Sequence, residues 1–88
     1  MTTLTELADR VEAATGYSNE LDILSEIALF EPDAEYVSVR VNAAGTKLIY
    51  TSADGKEKTH WARDWTISPA ERAATAASLR AHASKGRG

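Results

Sequence analysis

The sequence predicts an α+β fold: an N-terminal helical hairpin, a three-stranded antiparallel β-meander, and a C-terminal helix packed on the sheet. Three observations carry that expectation. Apolar residues recur at helical spacing from Leu4 to Ala14 and again from Leu21 to Ala28. The period then switches to strict alternation at Tyr36–Val41, and the composition stays β-like as far as Ala62. A capped, alanine-rich stretch follows from Ser68. The change from a 3.6-residue to a 2-residue period is the primary signal separating helix from strand.

Thr3-x-x-Glu6 fits a capping box at the start of the first helix, where the two side chains satisfy amides that lack an intrahelical partner. Leu4, Leu7, Ala8, Val11 and Ala14 make its apolar side, and Gly16 is the expected stop, since glycine accepts a left-handed C-terminal conformation. Ser18 or Asn19 caps the second helix, with Glu20 and Asp22 favourable in its first turn. Leu21, Ile23, Leu24, Ile27 and Ala28 face inward, and Asp22, Ser25 and Glu26 are expected to point away. Pro32 lacks an amide hydrogen and stops this helix near Phe30.

In Tyr36–Val41 the alternation sets Val37, Val39 and Val41 on one face and Tyr36, Ser38 and Arg40 on the other. Asn42-Ala-Ala-Gly45 is a turn, Thr46–Ser52 a second strand, Asp54-Gly55 a hairpin signal that tolerates positive φ, and Glu57–Ala62 a third strand. Ser68, Pro69 and Glu71 then open the last helix as cap, first-turn proline and box partner. Its polar face is read as Glu71, Thr75, Ser78 and His82, and its smooth face as Ala73, Ala76 and Ala77. Residues 1–83 thus form one compact domain, and 84–88 a basic, glycine-rich tail expected to be disordered. Trp61, Trp65, Tyr50 and Phe30 are expected to carry much of the burial.

The 88 residues leave room for one small domain, 43% hydrophobic and 26% charged. No cysteine is present, so disulfides, thiol nucleophiles and thiolate metal sites are excluded. The longest apolar run, Ile27-Ala28-Leu29-Phe30, is far short of the roughly 20 residues a membrane span needs. The opening Met1-Thr-Thr-Leu-Thr-Glu lacks the pattern of a signal peptide, and the expected location is cytoplasmic. Gly-rich phosphate loops, H-E-x-x-H and G-x-S-x-G are all missing, and the chain is read as a non-enzyme needing neither metal nor cofactor.

The net charge of −3 conceals a division. Through Glu35 there are nine acids against Arg10 alone, a charge of −8; from Tyr36 onward nine bases face four acids, a charge of +5. Such asymmetry reads either as a polar interaction surface or as two halves that neutralise each other in the fold. The first reading makes Glu6, Asp9, Asp22 and Glu26 of the helical hairpin a partner-binding surface, matched to a basic groove. A second patch is Trp61-Ala-Arg63-Asp-Trp65 with Arg40 and Lys58, since tryptophan and arginine dominate binding hot spots. Basic residues among aromatics also suit single-stranded nucleic acid, but the negative total argues against direct nucleic-acid binding. His60 reads as a half-exposed strand residue and His82 as a favourable charge near a helix C-terminus.

Val11-Glu-Ala-Ala-Thr-Gly16, followed by Ser18, Glu20-Leu21-Asp22 and Ile27-Ala28, resembles the opening of the phage α-β-α (ABA) sandwich family of small phage and prophage proteins. Arg10–Ala28 follows the family's opening nearly residue by residue, with Asn19 where arginine is common, and Ala70–Ala83 is similar to its closing helix. The strands between do not follow the family pattern. The resemblance implies a sheet between helices and a phage setting. By analogy of class it implies an anti-CRISPR protein: a stoichiometric inhibitor that binds a type I CRISPR-Cas surveillance complex (Cascade), as monomer or homodimer, and blocks target DNA recognition in the host cytoplasm. The alternatives are a sponge for cyclic-nucleotide immune signals, built on a basic pocket from Arg40, Lys58 and Arg63, or a phage accessory or assembly protein.

Overall fold

The computed structural model describes residues 3–85. Helix α1 spans Leu4–Ala13, and Thr3 caps it by accepting the Glu6 amide at 3.1 Å while its hydroxyl donates to the Glu6 carboxylate. Gly16 is not what ends it. Ala14 turns the backbone extended, at φ −65° and ψ 139°, and Gly16 has no positive φ. Helix α2 spans Asn19–Leu29, with Ser18 Oγ accepting the Leu21 amide at 3.2 Å. It stops at Phe30, two residues before Pro32, as the missing amide requires.

Strands β1 (Ser38–Val41), β2 (Leu48–Thr51) and β3 (Glu57–His60) form an antiparallel sheet in chain order. Both hairpins turn on glycines at positive φ, Gly45 at 72° and Gly55 at 87°, conformations that a Cβ would strain. Asn42 Oδ1 fixes the first turn by accepting the Thr46 and Lys47 amides, and Asp54 Oδ1 fixes the second by accepting that of Lys56. Val39 opposes Tyr50, which opposes Lys58, and Val41 opposes Leu48, which opposes His60. Residues paired across strands share a face, so this set lies on one side of the sheet and Arg40, Ile49 and Thr59 on the other. Of the valines, Val37 and Val41 are exposed and Val39 is half-buried, while Leu48 of the central strand is fully buried. Tyr36, expected on the opposite face, packs instead against Tyr50 in a tilted arrangement with centroids 5.2 Å apart.

Helix α3 runs from Pro69 to Lys85, with Ser68 Oγ accepting the Glu71 amide. It packs most extensively along α1 and next on α2, and α2 in turn meets β1. Two hydrogen bonds tie α3 to the segment leaving the sheet: Thr75 Oγ1 donates to the Trp65 carbonyl at 2.8 Å, and Arg72 donates to the Thr66 carbonyl at 3.0 Å. The core cluster is helical, made of Leu7, Ala8, Val11, Leu21, Ala76 and Leu79. The aromatic residues do not form the core that their size suggests. Trp61 is 62% exposed, and Trp65, Tyr50 and Phe30 are half-buried. The inward stripe of α3 is Thr75, Ala76 and Leu79, while Ala73 and Ala77 face out, because the bond to Trp65 draws Thr75 inside. The tail expected from Ser84 begins within this helix, and residues 86–88 lie outside the described residues. Among the described residues no helix is long and apolar enough to cross a membrane.

Candidate interaction surface

After β3 the chain runs without regular structure from Trp61 to Ser68, and one carboxylate organises that passage. Glu26, on the sheet-facing side of α2, accepts the Arg63 amide at 2.8 Å and the Trp65 indole N–H at 3.1 Å on Oε1. Its Oε2 accepts the Tyr50 hydroxyl from the central strand. Three donors from two separate chain segments converge on one side chain. Burial, together with the bond to the Glu26 carboxylate, pushes the Tyr50 phenol well above its usual value, so it stays a neutral donor. An aromatic cluster extends this contact, with Phe30, Tyr36 and His60 around the Tyr50 ring at 6.1, 5.2 and 5.9 Å.

With its backbone held this way, the segment presents two cation–aromatic pairs. Lys47 Nζ lies 4.8 Å from the Trp61 ring centroid, and the Arg63 guanidinium lies 4.8 Å from that of Trp65. Both distances fall within the range where a cation is attracted to a ring face. Trp65 is anchored by its N–H to Glu26 and is half-buried, whereas Trp61 stands largely in solvent. A large exposed indole on a fixed backbone is the feature of this molecule best suited to recognition.

The acidic hairpin surface is not assembled. Asp22 is fully buried, with its Oδ1 accepting the Thr66 hydroxyl at 2.8 Å, and burial raises its pKa from the usual 3.8. Glu26 is committed to the three donors above. Asp9 is exposed but shares Arg80 with Glu12, at 2.9 and 3.0 Å, so the two halves of the chain do neutralise each other at this point. Glu6 alone of the four is both exposed and free of an ion pair among the described residues. The expectation failed because α2 lies between the other helices and the sheet segment. It therefore buries more than one face, and two of its polar residues lie inside.

The second patch is assembled in part. Trp61, Arg63 and Trp65 lie together, but Arg40 and Lys58 point from opposite faces of the sheet, and Arg40 is paired with Glu57 at 2.7 Å. The basic pocket expected for a nucleotide from Arg40, Lys58 and Arg63 is therefore not formed. His60 rests edge-on against Tyr50, and His82 lies 3.9 Å from Glu31. Lys47, one of the basic residues expected in or beside the meander, belongs to the site, although spacing along the chain does not pair it with Trp61. Its place follows from β2–β3 register, which sets neighbouring Leu48 opposite His60.

These features define the class: a small α+β domain with a rigidly mounted aromatic and cationic surface. Compared with known protein families, curated proteins and solved structures, the chain matches none.

Proposed function

We propose that the protein acts by stoichiometric docking on another protein, using the Trp61–Trp65 segment as its contact. The observation that carries this reading is Trp61, 62% exposed beside Lys47 on a backbone that Glu26 holds in place. A segment already ordered before binding loses less conformational entropy on association, so more of the contact energy remains as affinity. The resemblance of Arg10–Ala28 to phage proteins directs the choice of partner. In its specific form the proposal is a phage-encoded anti-CRISPR protein that occupies a type I surveillance complex and keeps target DNA from engaging. The contact differs from an acidic mimic of DNA, since Asp22 is buried and Glu26 is internally bonded.

The test is phage plaquing on hosts with active type I immunity, with and without the gene, paired with size-exclusion chromatography of the protein mixed with the purified complex. Restored plaquing with a co-eluting complex supports the proposal. No rescue and no co-elution overturns its specific form. Co-sedimentation of the protein with virions instead favours an accessory role in the particle.

A further inference from the structure

The exposed surface around Trp61 extends beyond the tryptophan segment. Hydrogen bonds carry it around the start of α2. The Ser18 amide donates to Thr66 Oγ1 at 2.8 Å, joining the chain neighbours of Tyr17 and Ile67. Asn19 accepts the Tyr17 hydroxyl and donates to the Thr46 carbonyl at 3.1 Å, next to Lys47 and hence to Trp61. Tyr17 is 54% exposed and Ile67 54%, so three large apolar side chains border this one region in solvent.

The charges around it are distinctive. Arg10, Arg40, Lys56 and Arg80 each form an ion pair, whereas Lys47, Lys58, Arg63 and Arg72 form none among the described residues. Three of these four belong to this region: Lys47 over Trp61, Arg63 over Trp65, and Arg72 on the Thr66 carbonyl. Asp64 is the one acid between Trp61 and Ile67.

We infer that Tyr17, Trp61 and Ile67, with the unpaired Lys47, Arg63 and Arg72, form one docking face for an acidic protein segment that carries apolar side chains. The inference rests on the docking reading above and deepens it by naming the partner's chemistry. The apolar residues supply contact area, and the unpaired cations supply steering and specificity toward carboxylates. A polynucleotide is disfavoured because its bases bind by stacking on open ring faces. Both indoles already carry a cation, which leaves less ring surface on which a base can stack.

The experiment is an NMR titration of the isotopically labelled protein with three probes: a Glu/Leu-rich peptide, a Lys/Leu-rich peptide of equal length, and oligothymidylate. The expected result is saturable movement of the Trp61 indole and the Tyr17 and Ile67 amide signals with the acidic peptide alone. Trp61→Ala, at an exposed position that leaves the fold intact, then weakens that binding at least about tenfold. Saturation by oligothymidylate instead overturns the inference in favour of nucleic acid, and indifference to the acidic peptide overturns it outright. Binding of the surveillance complex that survives both Trp61→Ala and Ile67→Ala overturns this face and leaves the inhibitor reading standing. Peptide binding here without binding of that complex does the reverse.

Discussion

The hydroxyl of Thr66 donates to Asp22 Oδ1 at 2.8 Å, joining residues 44 positions apart in a spot where neither side chain reaches solvent. The same oxygen of Thr66 accepts the Ser18 amide at 2.8 Å, so one hydroxyl secures both the start of α2 and the segment that leads into α3. Replacing Thr66 with valine keeps shape and volume but removes both bonds and leaves a buried carboxylate without its donor. Hydrogen bonds to charged groups contribute about 1.5–3 kcal/mol. Thr66→Val should therefore destabilise the domain by about 2–3 kcal/mol, read as a lower midpoint in urea unfolding at unchanged slope.

Asp22 itself is expected to be a cost to the fold at neutral pH. Burial raises its pKa above 3.8, so the folded protein holds this proton more tightly than the unfolded chain does. Its contribution to stability is most favourable in acid and declines as pH rises through the interval from 3.8 to the folded value. Asp33 and Asp54 act in the opposite direction. Local backbone amides and the Ser52 hydroxyl lower their pKa values, and the stability they add is lost as pH falls below 3.8. Asp22→Asn removes the buried charge and still accepts from Thr66. Its second position replaces Oδ2, which has no hydrogen-bond partner, one turn from Ser25 Oγ, which also lacks one. The variant should melt above the wild type near neutral pH, and calorimetry should show the gap closing as pH is lowered. A gap that widens in acid would contradict the assignment.

Glu26 sets up a separate experiment on the surface. Glu26→Ala removes the acceptor for the Arg63 amide, the Trp65 indole and the Tyr50 hydroxyl at once. Glu26→Gln keeps one carbonyl oxygen for the first two donors and turns an amide toward Tyr50, whose oxygen can accept. The alanine variant should therefore speed hydrogen exchange at the Arg63 amide and shift the Trp65 indole resonance toward its free position. The glutamine variant should do much less. If affinity for a partner depends on an ordered segment, alanine should lower it about tenfold or more and glutamine by less.

The elements themselves were legible because their signals are local. Capping at Thr3, Ser18 and Ser68, the glycines of the two turns, and the switch of period at Tyr36 all act within a few residues. What was not legible is which side of α2 is outside. Its apolar residues span a broad arc, and a helix covered on two sides buries polar residues that a helical wheel assigns to solvent. Asp22 and Glu26 can lie there because Thr66, Trp65, Arg63 and Tyr50 arrive from distant positions to bond them. The tryptophans illustrate the same limit. Trp61-Ala-Arg-Asp-Trp65 is visible as a candidate contact, but the cation beside Trp61 comes from Lys47, just before β2. The separation of Arg40 from Lys58 likewise depends on register, which runs of residues do not reveal.

The last prediction contrasts two neighbours on α3. Leu79 is fully buried in the cluster with Leu7, Ala8 and Val11, whereas Arg80 reaches out to Asp9 and Glu12 on the surface of α1. Both hold α3 against α1, but by different physics. Leu79→Ala removes buried methyl groups and leaves a cavity, at a typical cost of about 2–5 kcal/mol. The domain is small, and folded proteins of this kind are stable by only about 5–15 kcal/mol, so that loss takes a large share of the total. Arg80→Ala breaks two exposed ion pairs, of a kind that contributes little to stability and is screened by salt. Urea unfolding in low and high salt separates the two. Leu79→Ala should shift the midpoint strongly and equally in both, and Arg80→Ala weakly and in low salt alone. A large, salt-independent loss for Arg80→Ala would mean that its aliphatic stem, rather than its charge, covers the α1–α3 seam.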